Sequence, residues 1–291
     1  MCKLLAVLDI QKVDQAIKFA NACIPGMTAR DKDGLGVMRL GKRGVSIQRW
    51  LNPHSAPSRA LKPDALAPYS DLVTPSYNEQ GDIHQKPYAF AVHARYATCP
   101  VALENVHPFY RNGVALMHNG VISNTYEFET TLSSCDSEVL LTRYLEADVS
   151  SNLEKIGEAV APIEGSFACI VFHQKGFVDI FKDDSTSLYI AAIPTVGTVF
   201  CTSNDILGEA CEVLKIRRPS ILPVTGYTAM RWIPDGKPQI VDIRRSVPVS
   251  DMDEHQGLLK GFDSLESVGS LDNDMAIQMA MESHTRKDEM E

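Results

Sequence analysis

The chain opens with Met1-Cys-Lys-Leu-Leu-Ala-Val-Leu-Asp-Ile10, which places a cysteine directly after the initiator methionine. Once that methionine is removed, Cys2 carries a thiol and a free α-amine on one residue. An α-amine with an ordinary pKa of ~7.7–8 can take the proton of its own thiol, so the residue can be a nucleophile with a built-in base. A cysteine in second place is more often an ordinary residue, and the decision rests on the segments that follow.

Composition and charge describe a globular protein without an obvious polyanionic partner. Of the 291 residues, 44% are hydrophobic and 22% are charged, and the formal net charge is −9. Eleven acidic and three basic residues lie in 251–291, so that segment carries −8 of the charge. We therefore expect no nucleic acid or anionic membrane as a partner. No apolar run approaches the ~18 residues of a membrane span, and residues 3–10 are typical of a strand rather than a signal peptide.

The seven cysteines show no framework for disulfides or metal. They stand at positions 2, 23, 99, 135, 169, 201 and 211, with no Cys-x-x-Cys pair and no metal-ligand spacing with histidine. Reduced thiols in a cytoplasmic compartment are the simplest interpretation. We expect no metal site and no cofactor.

Hydrophobic patterning predicts many short strands in hairpin order with the helices gathered into a few groups, which indicates an α+β protein with packed antiparallel sheets. Residues 52–87 hold six prolines and are interpreted as a long surface excursion. Asp136 is the predicted N-cap of its helix. The predicted elements are a strand at 3–10, a helix at 12–24 ended by Pro25-Gly26, a hairpin of strands 35–40 and 43–49, strands at 88–94 and 113–117, helices at 136–145 and 151–162, strands at 166–172, 177–181, 187–192 and 197–202, a helix at 205–215, and strands at 219–223, 226–233 and 238–244.

Four further segments complete a recognisable set: His93-Ala-Arg-Tyr-Ala-Thr98, Asn105-Val-His-Pro108, Met117-His-Asn-Gly-Val-Ile-Ser-Asn124 and Asp136-Ser-Glu-Val139. Each is weak alone. In this order after Cys2, they resemble the class II glutamine amidotransferase domain, an N-terminal-nucleophile hydrolase, over roughly residues 2–245. The resemblance implies a four-layer α/β/β/α sandwich with two mostly antiparallel sheets in residues 1–250. Residues 251–291 are expected to form a flexible acidic tail.

The resemblance implies that the Cys2 thiolate attacks the side-chain amide of L-glutamine. The resulting oxyanion needs preorganised donors, each worth ~3 kcal/mol. The resemblance assigns this role to the Asn119 side chain and the Gly120 backbone N–H, although Asn-Gly alone is also a strong turn signal. Glutamate would leave after water hydrolyses the γ-glutamyl thioester.

The resemblance also implies a clamp for the α-groups of glutamine. A guanidinium at Arg95 matches the carboxylate, and Asp136 matches the ammonium. The alternatives are a surface ion pair for Arg95 and a plain helix cap for Asp136. Tyr96, through its backbone, and Thr98 are expected to line the same loop, and His107 is expected to support the site from behind.

Several positions depart from the resembled pattern. Lys3 stands where glycine often follows the cysteine, and Tyr96 stands where tryptophan is common. The loop that often ends Ala-Thr-His-Gly is Ala97-Thr-Cys-Pro100 here, and Cys201-Thr-Ser-Asn204 replaces an Ala-Ser-Glu or Ala-Ser-Asp run. These changes affect the detail of the glutamine site more than the core chemistry.

The leading expectation is a glutaminase that supplies ammonia to a separate synthase, because the residues after 245 are too few for an ammonia-using domain. Two rivals stay open: a catalytically silent binding or structural module with the same fold, and an amidohydrolase for another amide. Homo-oligomerisation is left open.

Overall fold

The computed structural model describes residues 2–41, 44–51, 88–129, 133–234 and 236–244. The predicted excursion at 52–87, the turn of the first hairpin and the acidic tail at 251–291 lie outside these residues. Within the described part of the chain, no helix is long and apolar enough to cross a membrane.

Antiparallel strands and four α-helices make up the described regular structure, apart from two short 3-10 turns. The strands are β1 Lys3–Leu8, β2 Gly34–Gly41, β3 Gly44–Trp50, β4 Ala89–Arg95, β5 Phe109–Arg111, β6 Val114–Ile122, β7 Gly165–His173, β8 Phe177–Lys182, β9 Tyr189–Ile193, β10 Gly197–Cys201, β11 Leu222–Pro223, β12 Thr228–Trp232 and β13 Gln239–Asp242. The helices are α1 Val13–Thr28, α2 Ser137–Glu146, α3 Lys155–Val160 and α4 Asn204–Val213.

The strands form two sheets, with the orders β11-β9-β10-β1-β4-β2-β3 and β13-β12-β8-β7-β6-β5. Every described pairing is antiparallel. Strand β1 lies in the middle of the first sheet, where Leu5 is opposite Val92 of β4 on one side and Cys201 of β10 on the other. The strand that follows Cys2 is therefore held on both edges.

Alternating side chains divide the interior into three apolar layers. Leu5 and Val7 of β1 pack with α1 and α4 in an outer core. Leu4, Ala6 and Leu8 of the same strand pack against the second sheet. The far side of the second sheet is covered by α2 and α3. The predicted four-layer α/β/β/α sandwich with mostly antiparallel sheets is confirmed.

The same alternation turns the candidate nucleophile toward the second sheet. Cys2 has the parity of Leu4 and Ala6, which face the space between the sheets. In β6, Ala115 and Met117 face that space too, and Asn119 continues their parity. Cys2 and Asn119 therefore belong to the two inner faces of the sandwich.

The predicted end of the first helix at Pro25-Gly26 is wrong. Helix α1 continues through Pro25 to Thr28. Pro25 removes one N–H from the hydrogen bonds of the helix, but its neighbours Ile24, Met27 and Thr28 are buried. The Thr28 hydroxyl also donates to the Ile24 carbonyl at 2.9 Å. Burial of the last turn outweighs the local cost of the proline.

The strand predicted at 113–117 is too short. Strand β6 runs on to Ile122 and carries Asn119-Gly120 within it, paired to Ala168 and Phe167 of β7. Asn-Gly is therefore not a turn in this chain. Other differences are at the ends of elements: β5 was not predicted, α3 begins only at Lys155, and the strand predicted at 219–223 is reduced to Leu222–Pro223.

Candidate active site

The Cys2 thiol lies against the backbone just after β4. Its Sγ accepts a hydrogen bond from the Tyr96 N–H at 3.3 Å and lies 3.5 Å from the Tyr96 carbonyl oxygen, to which the thiol can donate. Strand pairing produces this contact. Lys3 of β1 is opposite Ala94 of β4, so Cys2, which precedes Lys3, lies next to the residues that follow Ala94. If the Cys2 thiol is ionised, the Tyr96 N–H can still donate a hydrogen bond to the thiolate sulfur.

Burial raises the pKa of the Cys2 thiol to about 11. The hydrogen bond from the Tyr96 N–H and the charge of Arg95 act in the opposite direction, and the negative charge of Asp31 adds to the rise. At pH 7, roughly one thiol in 10⁴ with such a pKa is ionised. A nucleophilic Cys2 therefore needs a nearby base to take its proton.

Arg95 is a buried cation that forms no ion pair with a carboxylate among the described residues. Its side chain is 2% exposed. Its Nη2 donates to the carbonyls of Cys99 at 2.9 Å and Pro100 at 3.2 Å, and to the Cys99 Sγ at 3.1 Å. Its Nη1 is buried without a partner. A buried guanidinium with a spare N–H is suited to an external anion such as a carboxylate.

Residues just before β2 hold the loop that follows Arg95. The Asp33 N–H donates to the Arg95 carbonyl at 3.0 Å, and the Asp33 Oδ2 accepts the Ala97 N–H at 2.8 Å. Asp31, two residues earlier, is 2% exposed, and its Oδ2 is buried without a partner. Burial raises the pKa of Asp31, while the charge of Lys3 lowers it. Its free oxygen can accept a hydrogen bond from an ammonium group.

Asn119 and Gly120 present an unusual stretch of strand. Asn119 is 3% exposed, and its Oδ1 has no hydrogen-bond partner. Gly120 has φ +148, and a Cβ there would lie 1.9 Å from the Ser166 carbonyl oxygen. Only glycine can hold β6 this close to β7. The glycine therefore fixes the position of the neighbouring amide.

Asp136 stands immediately before α2, but its side chain forms no cap. Its Oδ2 accepts the Ile122 N–H at 2.8 Å, and its Oδ1 lies 3.3 Å from the Ser137 Oγ and 3.4 Å from the Cys135 Sγ. Asp136 thus occupies the predicted N-cap position but makes no side-chain capping hydrogen bond. Next to the helix start, Glu138 accepts the Ser133 N–H at 2.7 Å. The Asp136 carboxylate is directed toward the end of β6, where it binds the Ile122 N–H.

An open cavity of about 450 Å³ lies between the loop after β4 and the start of α2. Of the predicted site residues, Thr98 and Asp136 line it. Its other walls are Cys99, Val121, Ile122, Thr125, Tyr126, Phe128, Ser134 and Cys135. Cys2, Arg95 and Asn119 are not in this lining; Arg95 is joined to it through Cys99. The predicted residues thus form two adjoining groups, one on β1 and β4 and one at the end of β6 and the start of α2.

Three buried histidines join these two groups. His93 Nε2 donates to the His118 carbonyl at 3.1 Å, which connects β4 to β6. His118 Nε2 donates to the Ser166 carbonyl at 3.2 Å, so its Nδ1 must accept from the Ser137 hydroxyl at 2.8 Å. His107 stacks on His93 with ring centroids 4.1 Å apart, and both of its ring nitrogens lack partners.

Burial keeps these histidines neutral. It lowers the pKa of His93 to about 3, lowers that of His118, and lowers that of His107 well below the ordinary value. None is poised as a base near pH 7. Their arrangement is that of a scaffold, with His107 behind His93 rather than in the cavity. No metal-binding cluster occurs among the described residues, and all seven cysteines are free.

Comparison with solved structures decides the fold. Glutamine phosphoribosylpyrophosphate amidotransferase from B. subtilis superposes with a TM-score of 0.60 at 16% identity, over 83% of this chain and 49% of that one. An allosteric regulatory enzyme of purine biosynthesis also has a TM-score of 0.60, at 14% identity, over 85% and 50%. This chain has the class II glutamine amidotransferase fold.

Sequence relatives agree with this fold over shorter stretches. A 7-cyano-7-deazaguanine synthase of Sulfolobus acidocaldarius is 30% identical over 139 residues, 45% of this chain and 30% of the relative. A glutamine–fructose-6-phosphate aminotransferase of Helicobacter pylori is 28% identical over 132 residues, 41% and 22%. The aligned stretches thus span less than a third of either relative. No protein-family profile matches the chain.

Within the class II amidotransferase fold, sequence reasoning missed Asp31, Asp33 and the two cysteines that line the cavity, Cys99 and Cys135. The aspartates precede a predicted strand and carry no motif, so only the pairing of β2 with β4 brings them to Arg95. Cys99 could have been noticed, because it stands at a position where this chain departs from the resembled pattern. Its closeness to Cys135 depends on the tertiary fold.

Proposed function

We propose that this chain is a glutaminase of the class II amidotransferase type, which hydrolyses L-glutamine to glutamate and ammonia through a thioester on Cys2. The observation that carries the proposal is the buried Arg95 with a free Nη1, directly before the residue that contacts the Cys2 thiol. A buried guanidinium that has a free N–H and no carboxylate partner in the protein favours a ligand that brings a carboxylate. An α-amino acid brings one, and simple amides do not.

The state of the Cys2 thiol supports an N-terminal nucleophile. A thiol with a pKa of about 11 is protonated at neutral pH. Burial lowers the pKa values of His93, His107 and His118, so these histidines are weak bases for the thiol proton. Removal of Met1 would expose the Cys2 α-amine, which then takes the thiol proton. The buried Oδ2 of Asp31 is available to the resulting ammonium.

The bond changes follow from these groups. The Cys2 thiolate attacks the side-chain carbonyl carbon of glutamine and forms a tetrahedral oxyanion. The Asn119 side-chain N–H and the Gly120 backbone N–H stabilise this oxyanion. The C–N bond then breaks, ammonia leaves with a proton from the α-ammonium, and water hydrolyses the thioester to release glutamate.

Strand geometry supports the Gly120 donor. Val121 directs its N–H to the Ser166 Oγ of β7 at 3.2 Å, whereas Ile122 directs its N–H to Asp136. Alternate N–H groups of an extended strand point the same way, so Gly120 shares the direction of Ile122. Arg95 would bind the α-carboxylate of glutamine and Asp136 its ammonium, with Thr98 and the Tyr96 backbone along the loop and His107 as support.

We place the acceptor of ammonia on a separate synthase and the protein in the cytoplasm. Seven free cysteines fit a reducing compartment. The amidotransferase relatives support the use of glutamine. Co-purification would identify the protein that receives the ammonia. No cofactor takes part in the proposed chemistry.

The decisive experiment measures glutamate released from glutamine by protein whose N-terminus has been read by intact-mass spectrometry. Chains without Met1 should be active, and chains that retain it should be inactive. Cys2→Ala should abolish activity without unfolding the protein. Asparagine and simple primary amides serve as competing substrates, because the Arg95 site selects for α-amino acids of glutamine length.

Two results would reject the proposal. Full activity in chains that keep Met1 would exclude the α-amine as base. Absence of glutamate release with and without a co-purifying partner, together with no labelling of Cys2 by a glutamine-like electrophile, would favour the binding or structural module. Faster hydrolysis of another amide would favour the second rival.

A further inference from the structure

The wall of the cavity contains two cysteines that the proposed glutaminase chemistry does not use. Cys99 is half-buried in the loop after β4, and Cys135 is buried just before α2. Both line the cavity. The two thiols interact, and this interaction lowers the pKa of Cys99 and raises the pKa of Cys135. The two sulfurs are therefore neighbours although 36 positions separate them in the sequence.

A single amide side chain holds the two backbone segments together. Asn105, which is 1% exposed, donates through Nδ2 to the Pro100 carbonyl at 2.9 Å and to the Ser134 hydroxyl at 3.0 Å. Its Oδ1 accepts the Ser134 N–H at 3.1 Å. Pro100 and Ser134 are the chain neighbours of Cys99 and Cys135. The closeness of the cysteines is therefore fixed by the backbone.

Cys99 has the environment of a reactive thiol. The interaction with the Cys135 thiol and the adjacent Arg95 lower the pKa of Cys99 to about 6, against the effect of burial. The Arg95 Nη2 lies 3.1 Å from the sulfur. A thiolate next to a guanidinium, reachable from an open cavity, is the form of cysteine that reacts with peroxides. The interaction with Cys99 and burial raise the pKa of Cys135, which therefore stays protonated.

We propose that Cys99 and Cys135 form an oxidation site for hydroperoxides, in which Cys99 is attacked first and Cys135 closes a reversible disulfide across the cavity wall. The Cys99 thiolate attacks the peroxide oxygen, the O–O bond breaks, and water or an alcohol leaves. Cys99 becomes a sulfenic acid, oxidised by two electrons as the peroxide is reduced by two. The Cys135 sulfur then attacks the Cys99 sulfur, the S–O bond breaks, and the hydroxide takes the Cys135 proton and leaves as water.

The disulfide would alter the carboxylate site, a consequence that rests on the proposed glutaminase function. Arg95 loses the negative sulfur near its Nη2, and the loop that it holds becomes fixed to the start of α2. Thr98 and Asp136, next to the two cysteines, line the cavity where glutamine would bind. A cross-link that shifts Thr98 and Asp136 relative to each other would remove about one hydrogen bond to glutamine, which should weaken glutamine binding about tenfold.

The test uses the full chain with Cys2→Ala, which removes the competing thiol and makes the result independent of glutaminase activity. The protein is treated with a small excess of hydrogen peroxide at pH 7, blocked with N-ethylmaleimide, digested with trypsin and examined by mass spectrometry. Peptides 96–111 and 112–143 should appear linked and should separate after dithiothreitol. Isothermal titration should show weaker glutamine binding by the oxidised protein and recovery after reduction.

Three variants in the same background separate the steps. Cys99→Ser should abolish the link. Cys135→Ser should stop the reaction at a Cys99 sulfenic acid that dimedone captures. The matched control, Cys211→Ser, changes a buried cysteine of the opposite core and should leave the link unchanged. Absence of linked peptides while other cysteines are oxidised would overturn the proposal. A link that forms in a protein unable to bind glutamine would support the oxidation site and reject the proposed glutaminase.

Discussion

Two buried asparagines allow catalysis and folding to be tested against each other. Asn119 and Asn124 are 3% and 1% exposed and lie five positions apart. The Asn119 Oδ1 has no partner. Asn124 donates to Glu127 at 3.0 Å and to the Pro162 carbonyl at 2.9 Å, and accepts the Glu164 N–H at 3.0 Å. The first amide is thus free for a ligand, and the second is committed to the fold.

Opposite effects are expected when each is replaced by alanine. Asn119→Ala should lower kcat for glutamine by ~10²–10³, the usual loss for one oxyanion donor. It removes a buried unsatisfied oxygen, so the free energy of unfolding should change by less than about 1 kcal/mol. Asn124→Ala loses three hydrogen bonds and should cost about 2–4 kcal/mol, a fall in Tm of roughly 5–10 °C.

The assays are enzymatic detection of released glutamate and thermal unfolding followed by circular dichroism, with both variants measured in one processed preparation. A kcat for Asn119→Ala within about threefold of the wild type would remove Asn119 from the oxyanion site. An Asn119→Ala protein as unstable as Asn124→Ala would show that its amide supports the fold, and the argument from the unpartnered oxygen would fail.

Other substitutions test the clamp, the close approach of the strands and the neutral histidines. Arg95→Lys should raise KM for glutamine at least ~10-fold with a smaller effect on kcat, because an ammonium cannot reproduce the planar fork; unchanged KM would count against the clamp. Gly120→Ala should destabilise by at least ~3 kcal/mol in urea, whereas Gly41→Ala, with no atom near its Cβ position, should have little effect. The fold lowers the pKa of His107, so the free energy of unfolding should fall as the pH drops below ~6.5, where the unfolded chain binds a proton that the folded chain does not. Between pH 7.5 and 5.5, His107→Phe should therefore lose about 1 kcal/mol less of its free energy of unfolding than the wild type. Equal losses would refute this.

Most of the architecture was predictable because it follows from local pattern. Apolar side chains alone predicted the strand β1 and the strands at 88–94, 166–172, 177–181 and 197–202. The turn signal predicted the hairpin of β2 and β3. Their order indicated packed antiparallel sheets, and the resemblance to the class II amidotransferase domain implied the four-layer sandwich. Local signals misled at Pro25 and at Asn119-Gly120, where burial of neighbouring residues overrides the preference of a proline to end a helix and of Asn-Gly to turn.

The site was only partly predictable, because its parts come from distant strands. Motifs indicated Cys2, Arg95 and Asp136 one at a time. The contact of Asp33 with Ala97 depends on which strands are neighbours in the sheet, which a single sequence does not reveal. The free Nη1 of Arg95 is likewise a property of the packed fold, because it depends on whether the fold places a carboxylate next to this guanidinium.

The central place of β1 has a consequence for the nascent chain. Its neighbours are residues 89–95 and 197–201, so the first sheet cannot close around Lys3–Leu8 until about 200 residues have left the ribosome. At ~5–20 residues per second, this takes roughly 10–40 s. During that interval at least one edge of β1 is unpaired, and the amino terminus is open to the aminopeptidase that would remove Met1. Late pairing of the first strand therefore gives processing time to precede burial.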